Sequence, residues 1–259
     1  MGPRGEVRGF NDVRFRTICD ATTGRLLMLD AAARVAVYWV ARRRQIRWYE
    51  SAAPLRPLLH WTLSTEDRFV VHAGAVGDTR CGALIAGGSG SGKTSTALAC
   101  LEAGMGYAGD DYVLLDVGGV PLAHSLFCTA KCDPPALRSV PGLLDTVGNP
   151  DRLDVEKAVL YLHPRRRLRL AHTVRVTALI LPAVGARERP RLRRISPAEG
   201  LARLAPSSIF QLPHAGGGEL RTMAELARRV PSFMLELGGD LGPVPGLVRD
   251  ASETEAAVW

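Results

Sequence analysis

Residues 83–94 read Ala-Leu-Ile-Ala-Gly-Gly-Ser-Gly-Ser-Gly-Lys-Thr, an apolar run that opens without a break into Gly-x-x-x-x-Gly-Lys-Thr. Few local patterns constrain a fold so tightly, because a strand must deliver the chain to the loop and a helix must carry it away. The glycines let the backbone curl until its N–H groups converge, and the helix N-terminus brings the positive end of its dipole to the same place. Such a loop is built for a nucleoside triphosphate. Gly87, Gly88, Ser89, Gly90, Ser91 and Gly92 are expected to wrap the phosphates and Lys93 to reach the outer ones. Thr94 offers a hydroxyl to Mg²⁺, and Ser95 completes the set at the helix start. The helix is expected over Thr94–Leu101, with Gly104 as its C-cap.

Lysine is rare here. It occupies only positions 93, 131 and 157 among 33 basic residues, so arginine serves wherever a generic positive charge suffices. A compact ammonium differs from a planar guanidinium against phosphate, which makes Lys131 and Lys157 further candidates for a phosphate site beside Lys93.

The rest of the composition narrows the setting. With 259 residues, 46% of them hydrophobic and 23% charged, the chain can bury one substantial core and a small accessory section. A net charge of +7 fits an anionic partner such as ATP or an acidic peptide. The basic runs Arg165–Arg169 and Arg187–Arg194 carry no interleaved aromatics and lie beside prolines, as solvated loops do, which argues against nucleic acid. No stretch has the length to span a bilayer, since the apolar segment over Ala31–Ala41 is broken by Arg34, and no signal-peptide core opens the chain. Five cysteines without C-x-x-C spacing suit reduced thiols in a cytoplasm.

Along the chain, residues 1–66 alternate apolar with polar positions and carry scattered aromatics, predicting a small β-rich section ahead of a main domain over 67–259. Phe69–Val76 reads as a strand joined to 83–86 by a turn-rich stretch. A symmetric hairpin would set Val76 opposite Ala83, and so His72 beside the mouth of the loop. Met105–Gly109 is expected as a strand parallel to and neighbouring 83–86, with Asp110 and Asp111 at its carboxyl end, the edge where open α/β sheets bind ligands. Val113–Asp116 reads as a strand and Thr129–Lys131 as irregular chain. Val174–Leu181 reads as one strand closed by Pro182. Ser196-Pro-Ala-Glu199 is a capping box that opens a short helix. Leu220, Met223, Leu226, Ala227 and Val230 mark a second helix, and Phe233–Leu237 a last strand.

Taken together, His72-Ala-Gly, Gly87-Gly-Ser-Gly-Ser-Gly-Lys-Thr94 and Gly106-Tyr-Ala-Gly-Asp110-Asp111 resemble, in order and spacing, the catalytic core of the HPr kinase/phosphorylase family. The motifs fall within 69–116, and the likeness extends loosely over 67–259. It implies an α/β fold with a P-loop core of the HPr kinase and phosphoenolpyruvate carboxykinase type, a mixed, twisted sheet, ATP and Mg²⁺ as cofactors, and a homo-oligomer. It further implies proton transfer at a serine by His72 and Asp110, with Asp111 and Thr94 at the metal. Lys131 is the candidate for an added contact to the transferring phosphate. The chain departs from the family in its short first section and in lacking a Glu-x-Arg-Gly-type signature between Pro121 and Lys157, so the resemblance does not fix the acceptor. Ser125–Lys131, Glu156-Lys157, Pro206–Pro213 and Glu236–Asp240 resemble shorter members that tailor bacterial peptides, including lasso-peptide precursor kinases. The function expected is phosphate transfer to a peptide or protein serine, the alternatives being a small-molecule kinase or a nucleotide-dependent switch.

Overall fold

A computed structural model describes residues 1–2, 5–186 and 188–256; Arg187, the first residue of the second basic run, lies outside them. The chain opens with β1 (Phe15–Asp20), β2 (Arg25–Asp30) and β3 (Val35–Val40), then α1 (Trp48–Ala52) and α2 (Arg56–Leu63). Next come β4 (Arg68–Val71), β5 (Ala73–Gly77), β6 (Gly82–Ala86), α3 (Lys93–Glu102), β7 (Tyr107–Gly109), β8 (Val113–Asp116), β9 (Leu122–Ser125) and β10 (Thr129–Cys132). They are followed by α4 (Pro134–Arg138), β11 (Ala158–Tyr161), β12 (Thr173–Arg175), β13 (Ala178–Val184), β14 (Arg191–Ile195), α5 (Pro197–Gln211), α6 (Gly217–Arg229), β15 (Ser232–Leu237) and α7 (Val244–Ala256).

The fold is mixed α/β. Its centre is a mixed sheet in the order β14-β15-β13-β6-β5-β7, in which β6, β13 and β15 run parallel and the other pairings are antiparallel. Both faces of this sheet are covered, so its central strands are apolar at every position. In β6, Ala83 and Ile85 join a core with Leu98 of α3 and Val248 of α7. Leu84 and Ala86 face the other way, into a core with Phe69, Leu115, Leu204 and Met223. In β13, Ala178 and Ile180 follow the first pair and Leu179 and Leu181 the second. That period of two is what the pleat requires.

The second core lies between the central sheet and a four-stranded sheet ordered β12-β9-β8-β4. The strand expected over Phe69–Val76 is divided between the two sheets, because the chain bends at His72 and leaves β4 in one and β5 in the other. The expected hairpin register holds, with Val76 opposite Ala83. One expectation fails: β7 is not the neighbour of β6. The return strand β5 occupies that position and pairs with β7 antiparallel, so β6 and β7 point the same way with β5 between them.

Other differences are local. Thr129–Cys132 is strand β10, paired with β11, rather than irregular chain. The stretch Val174–Leu181 is two strands, and Pro182 sits within β13 instead of ending it. There the ladder to β6 has already stopped at Ile180–Ile85, so a missing N–H costs no hydrogen bond on that side. Ser196 Oγ caps α5 by accepting from Glu199 N at 3.2 Å, but the helix runs 15 residues, through Pro206. The N-terminal section carries helices as well as strands. Its α2 packs on β2 and β4, and α1 on β10 and β11. Among the described residues no helix is long and apolar enough to cross a membrane.

Candidate functional site

The glycine loop joins β6 to α3 with Gly87, Gly90 and Gly92 at φ of +145°, +75° and +100°. Gly92 is needed twice over: its φ is left-handed, and a Cβ there would lie 2.1 Å from Leu237 Cδ1. Lys93, 7% exposed, folds back so that Nζ donates to the carbonyls of Gly87 at 2.9 Å and Gly88 at 3.0 Å. Burial lowers the affinity of this ammonium for its proton, while the charges of Asp111 and Asp110 act against that. Ser89 to Ser95 line a cavity of about 510 Å³, shared with His72, Asp111 and Lys131.

The two aspartates stand in different surroundings. Asp110 is 3% exposed and accepts a hydrogen bond from Thr94 Oγ1 at 2.9 Å. The Tyr107 hydroxyl lies 3.2 Å from its other oxygen, and Lys131 N donates to Oδ2 at 3.3 Å. Burial, followed by repulsion from Asp111, pushes its pKa above the usual carboxylate range. Asp111 faces the cavity. Its Oδ1 is 2.9 Å from His72 Nε2, and its Oδ2 is 2.6 Å from Lys131 Nζ. Burial opposes its charge, but the His72 hydrogen bond and the Lys131 charge prevail and hold its pKa well below the usual range.

His72 reaches this position because the bend between β4 and β5 lies at the junction of the two sheets. Ser208 Oγ of α5 accepts from its backbone N at 3.0 Å. Burial lowers the ring's pKa, and the hydrogen bond and charge of Asp111 only partly restore it. A neutral ring with Nε2–H directed at the carboxylate fits that balance. Two residues on, Gly74 permits the close approach of β5 to the aspartates, since a Cβ would stand 2.8 Å from Gly109 O and 2.9 Å from Asp110 Cα.

All the sequence-predicted residues gather here, although in different parts. Lys157 sits on the cavity rim, half exposed and 3.1 Å from Asp133. Its neighbour Glu156 pairs instead with Arg152, so the two form no pair with each other. Sequence reasoning missed a further part of the cavity wall. Trp48 and Tyr49 of α1 line it, together with Arg56, Tyr112 and Gln211. The Arg56 guanidinium lies 4.8 Å over the Tyr112 ring and donates to its hydroxyl at 2.7 Å, while that hydroxyl donates to Gln211 Oε1 at 2.6 Å. These residues are far apart in sequence and belong to no shared motif. The aromatic content of the first section hinted at Trp48 and Tyr49, and Gln211 lies in the Pro206–Pro213 stretch noted in the sequence, but nothing there joined them into one wall.

No family model matches the sequence, and no curated protein matches it. Among solved structures, the chain aligns with the Hpr(Ser) kinase/phosphatase from Coxiella burnetii at 13% identity and a TM-score of 0.38, covering 70% of this chain and 92% of that one. A likeness so shallow carries no argument about activity.

Proposed function

We propose that the protein is an ATP-dependent phosphotransferase that moves the γ-phosphate to an alcohol, specifically a serine hydroxyl of a peptide or protein. One observation carries the reading: Lys93 and Thr94 of a strand–glycine loop–helix unit meet Asp110 and the His72–Asp111–Lys131 chain around one cavity. In this reading residues 67–259 form the kinase body, and residues 1–66 flank its cleft through α1. Backbone N–H groups of the loop take the phosphates at the start of α3, and Lys93 exchanges the Gly87 and Gly88 carbonyls for phosphate oxygens.

The donor set suits Mg²⁺. It consists of hydroxyl and carboxylate oxygens, and among the described residues no group of three or more His, Cys, Asp or Glu is placed to hold a metal unaided. Mg²⁺ characteristically keeps waters and takes substrate phosphate oxygens, so a sparse oxygen site fits it. Thr94 and Asp110 would hold the ion, which when bound neutralises charge on the outer phosphates. This exchanges the roles expected from sequence, where Asp111 went to the metal and Asp110 to proton transfer. Asp110 already holds the Thr94 hydroxyl and is enclosed; Asp111 faces the cavity.

Asp111 therefore accepts the proton of the acceptor hydroxyl. A carboxylate of lowered pKa is a weak base, but in a loose transition state the proton leaves late, so placement outweighs base strength. His72 fixes the orientation of one carboxylate oxygen. Lys131 holds the other and brings a compact positive charge to the acceptor side of the transferring phosphate. The test is incubation with Mg-ATP and a panel of serine peptides, read by mass spectrometry for addition of one phosphate. The native chain should transfer and Lys93→Ala should not. Near-native turnover in Lys93→Ala would place the chemistry elsewhere.

A further inference from the structure

The N-terminal sheet leaves its two edges in opposite states. Along β1 the chain covers its own edge: Cys19 N donates to Gly5 O at 2.8 Å, and Thr17 N to Asn11 Oδ1 at 2.8 Å. Along β3 no cover exists among the described residues, where the strand pairs only with β2. Its sequence, Val-Ala-Val-Tyr-Trp-Val, is apolar throughout, without the charge, proline or bulge by which sheets usually blunt a free edge. Tyr38 turns inward to bond Glu50 of α1, and Ala36 stands opposite the buried Leu29. Val35, Val37 and Trp39 therefore share the other face, where Val35 is 50% and Trp39 53% exposed.

Both ends of this strand are basic. Arg34 precedes it, and Arg42, Arg43, Arg44 and Arg47 follow; all five are exposed, and among the described residues none has an ion-pair partner. We propose that β3 is a docking edge for an extended acidic segment of the peptide or protein that carries the acceptor hydroxyl, which joins the sheet as a fourth strand. The proposal rests on the phosphotransferase reading for its biological sense, although the binding it describes does not require turnover. Main-chain hydrogen bonds supply affinity, the Val37–Trp39 face receives alternate side chains, and the arginines select negative charge. A second copy of the chain fits poorly, because antiparallel pairing of two β3 strands would bring Arg34 of each towards Arg42–Arg44 of the other. The edge is also near the cleft. Tyr38 touches α1 through Glu50, and Trp48 and Tyr49 of α1 line the cavity, so one short helix separates docking strand from active site.

The experiment uses the full chain without nucleotide and a fluorescein-labelled peptide alternating Glu with Val and Thr, followed by fluorescence anisotropy. Three controls accompany it: the same peptide with Lys for Glu, one with alternate backbone amides N-methylated, and a single-stranded oligonucleotide. Saturable binding of the acidic peptide is expected, weakened about tenfold or more by raised salt, by either altered peptide, and by Trp39→Glu or the combined Arg42→Glu, Arg43→Glu, Arg44→Glu variant. Circular dichroism and thermal unfolding verify that both variants fold. Because no phosphate is transferred, a failed kinase reading would leave this result standing. Equal binding of the N-methylated peptide would overturn strand addition, and equal binding of the Lys peptide would overturn the acidic partner. Tighter binding of the oligonucleotide, lost in the same variants, would assign the surface to nucleic acid. A Trp39-dependent dimer in sedimentation that excludes the peptide would assign the edge to a second copy.

Discussion

The exchange of roles between adjacent aspartates makes a sharp test, because both carboxylates can be neutralised without changing side-chain size. In Asp111→Asn the amide has one acceptor oxygen where the carboxylate had two. His72 Nε2–H at 2.9 Å and Lys131 Nζ at 2.6 Å then compete for it, and relief by the other His72 tautomer would leave a proton on Nδ1, which is buried without a hydrogen-bond partner. Lys131, its side chain 15% exposed, would face amide hydrogens, at a cost of about 1–3 kcal/mol in stability. The kinetic loss should be larger, since removal of a positioned base costs about 10²–10⁴-fold in turnover. At 25 °C that is about 3–5 kcal/mol of activation free energy. Asp110→Asn should instead raise the Mg²⁺ concentration for half-maximal rate by about tenfold or more, with turnover recovering at high Mg²⁺. The assay is steady-state phosphorylation of one serine peptide across a Mg²⁺ series, with nucleotide affinity measured separately. If Asp111→Asn responds to added Mg²⁺ and Asp110→Asn does not, the geometric assignment is refuted and the order expected from sequence returns. Identical behaviour of the two variants would refute any division of labour.

Other consequences are as concrete. Lys131→Arg keeps charge but cannot fit a planar guanidinium where Nζ now meets Asp111, so phosphate transfer should fall well below that of Lys157→Arg, whose residue pairs with Asp133 at the rim; equal rates would refute this. Gly92→Ala combines a left-handed φ with a contact of 2.1 Å to Leu237 and should cost about 2–5 kcal/mol in denaturant unfolding. Gly88→Ala, with nothing within 4 Å, should leave the midpoint unchanged, and equal midpoints for the two would contradict the packing described. Buried His60 of α2 has its pKa lowered to about 4 by desolvation, so the unfolded chain binds its proton first as pH falls. The stability that follows from the neutral ring is fully present above about 6.5 and is lost as pH drops towards 4, up to about 3 kcal/mol. His60→Gln should flatten that part of the stability–pH curve, and an unchanged slope would rule out this residue as its source.

The sequence by itself determined the unit that is local. Residues 83–104 carry their strand, loop and helix in consecutive order. Backbone curvature, dipole and capping act over a few residues, so the elements can be read without knowing what surrounds them. The register of β5 against β6 was legible for the same reason, since a short turn between them leaves little freedom in pairing. Tertiary structure alone decided where those elements met. The sequence could not reveal that β5 would intrude between β6 and β7, because a non-local pairing depends on which edge is free once the sheet assembles. Nor could it divide Asp110 from Asp111: both sit in the bend that follows β7, and which is enclosed and which faces the cleft is set by Tyr107 of β7 itself together with Thr94, His72 and Lys131, which arrive from three other parts of the chain. The wall formed by Trp48, Tyr49, Arg56 and Gln211 belongs to the same category, since burial and charge brought it to the cavity and no spacing in the sequence encodes that meeting.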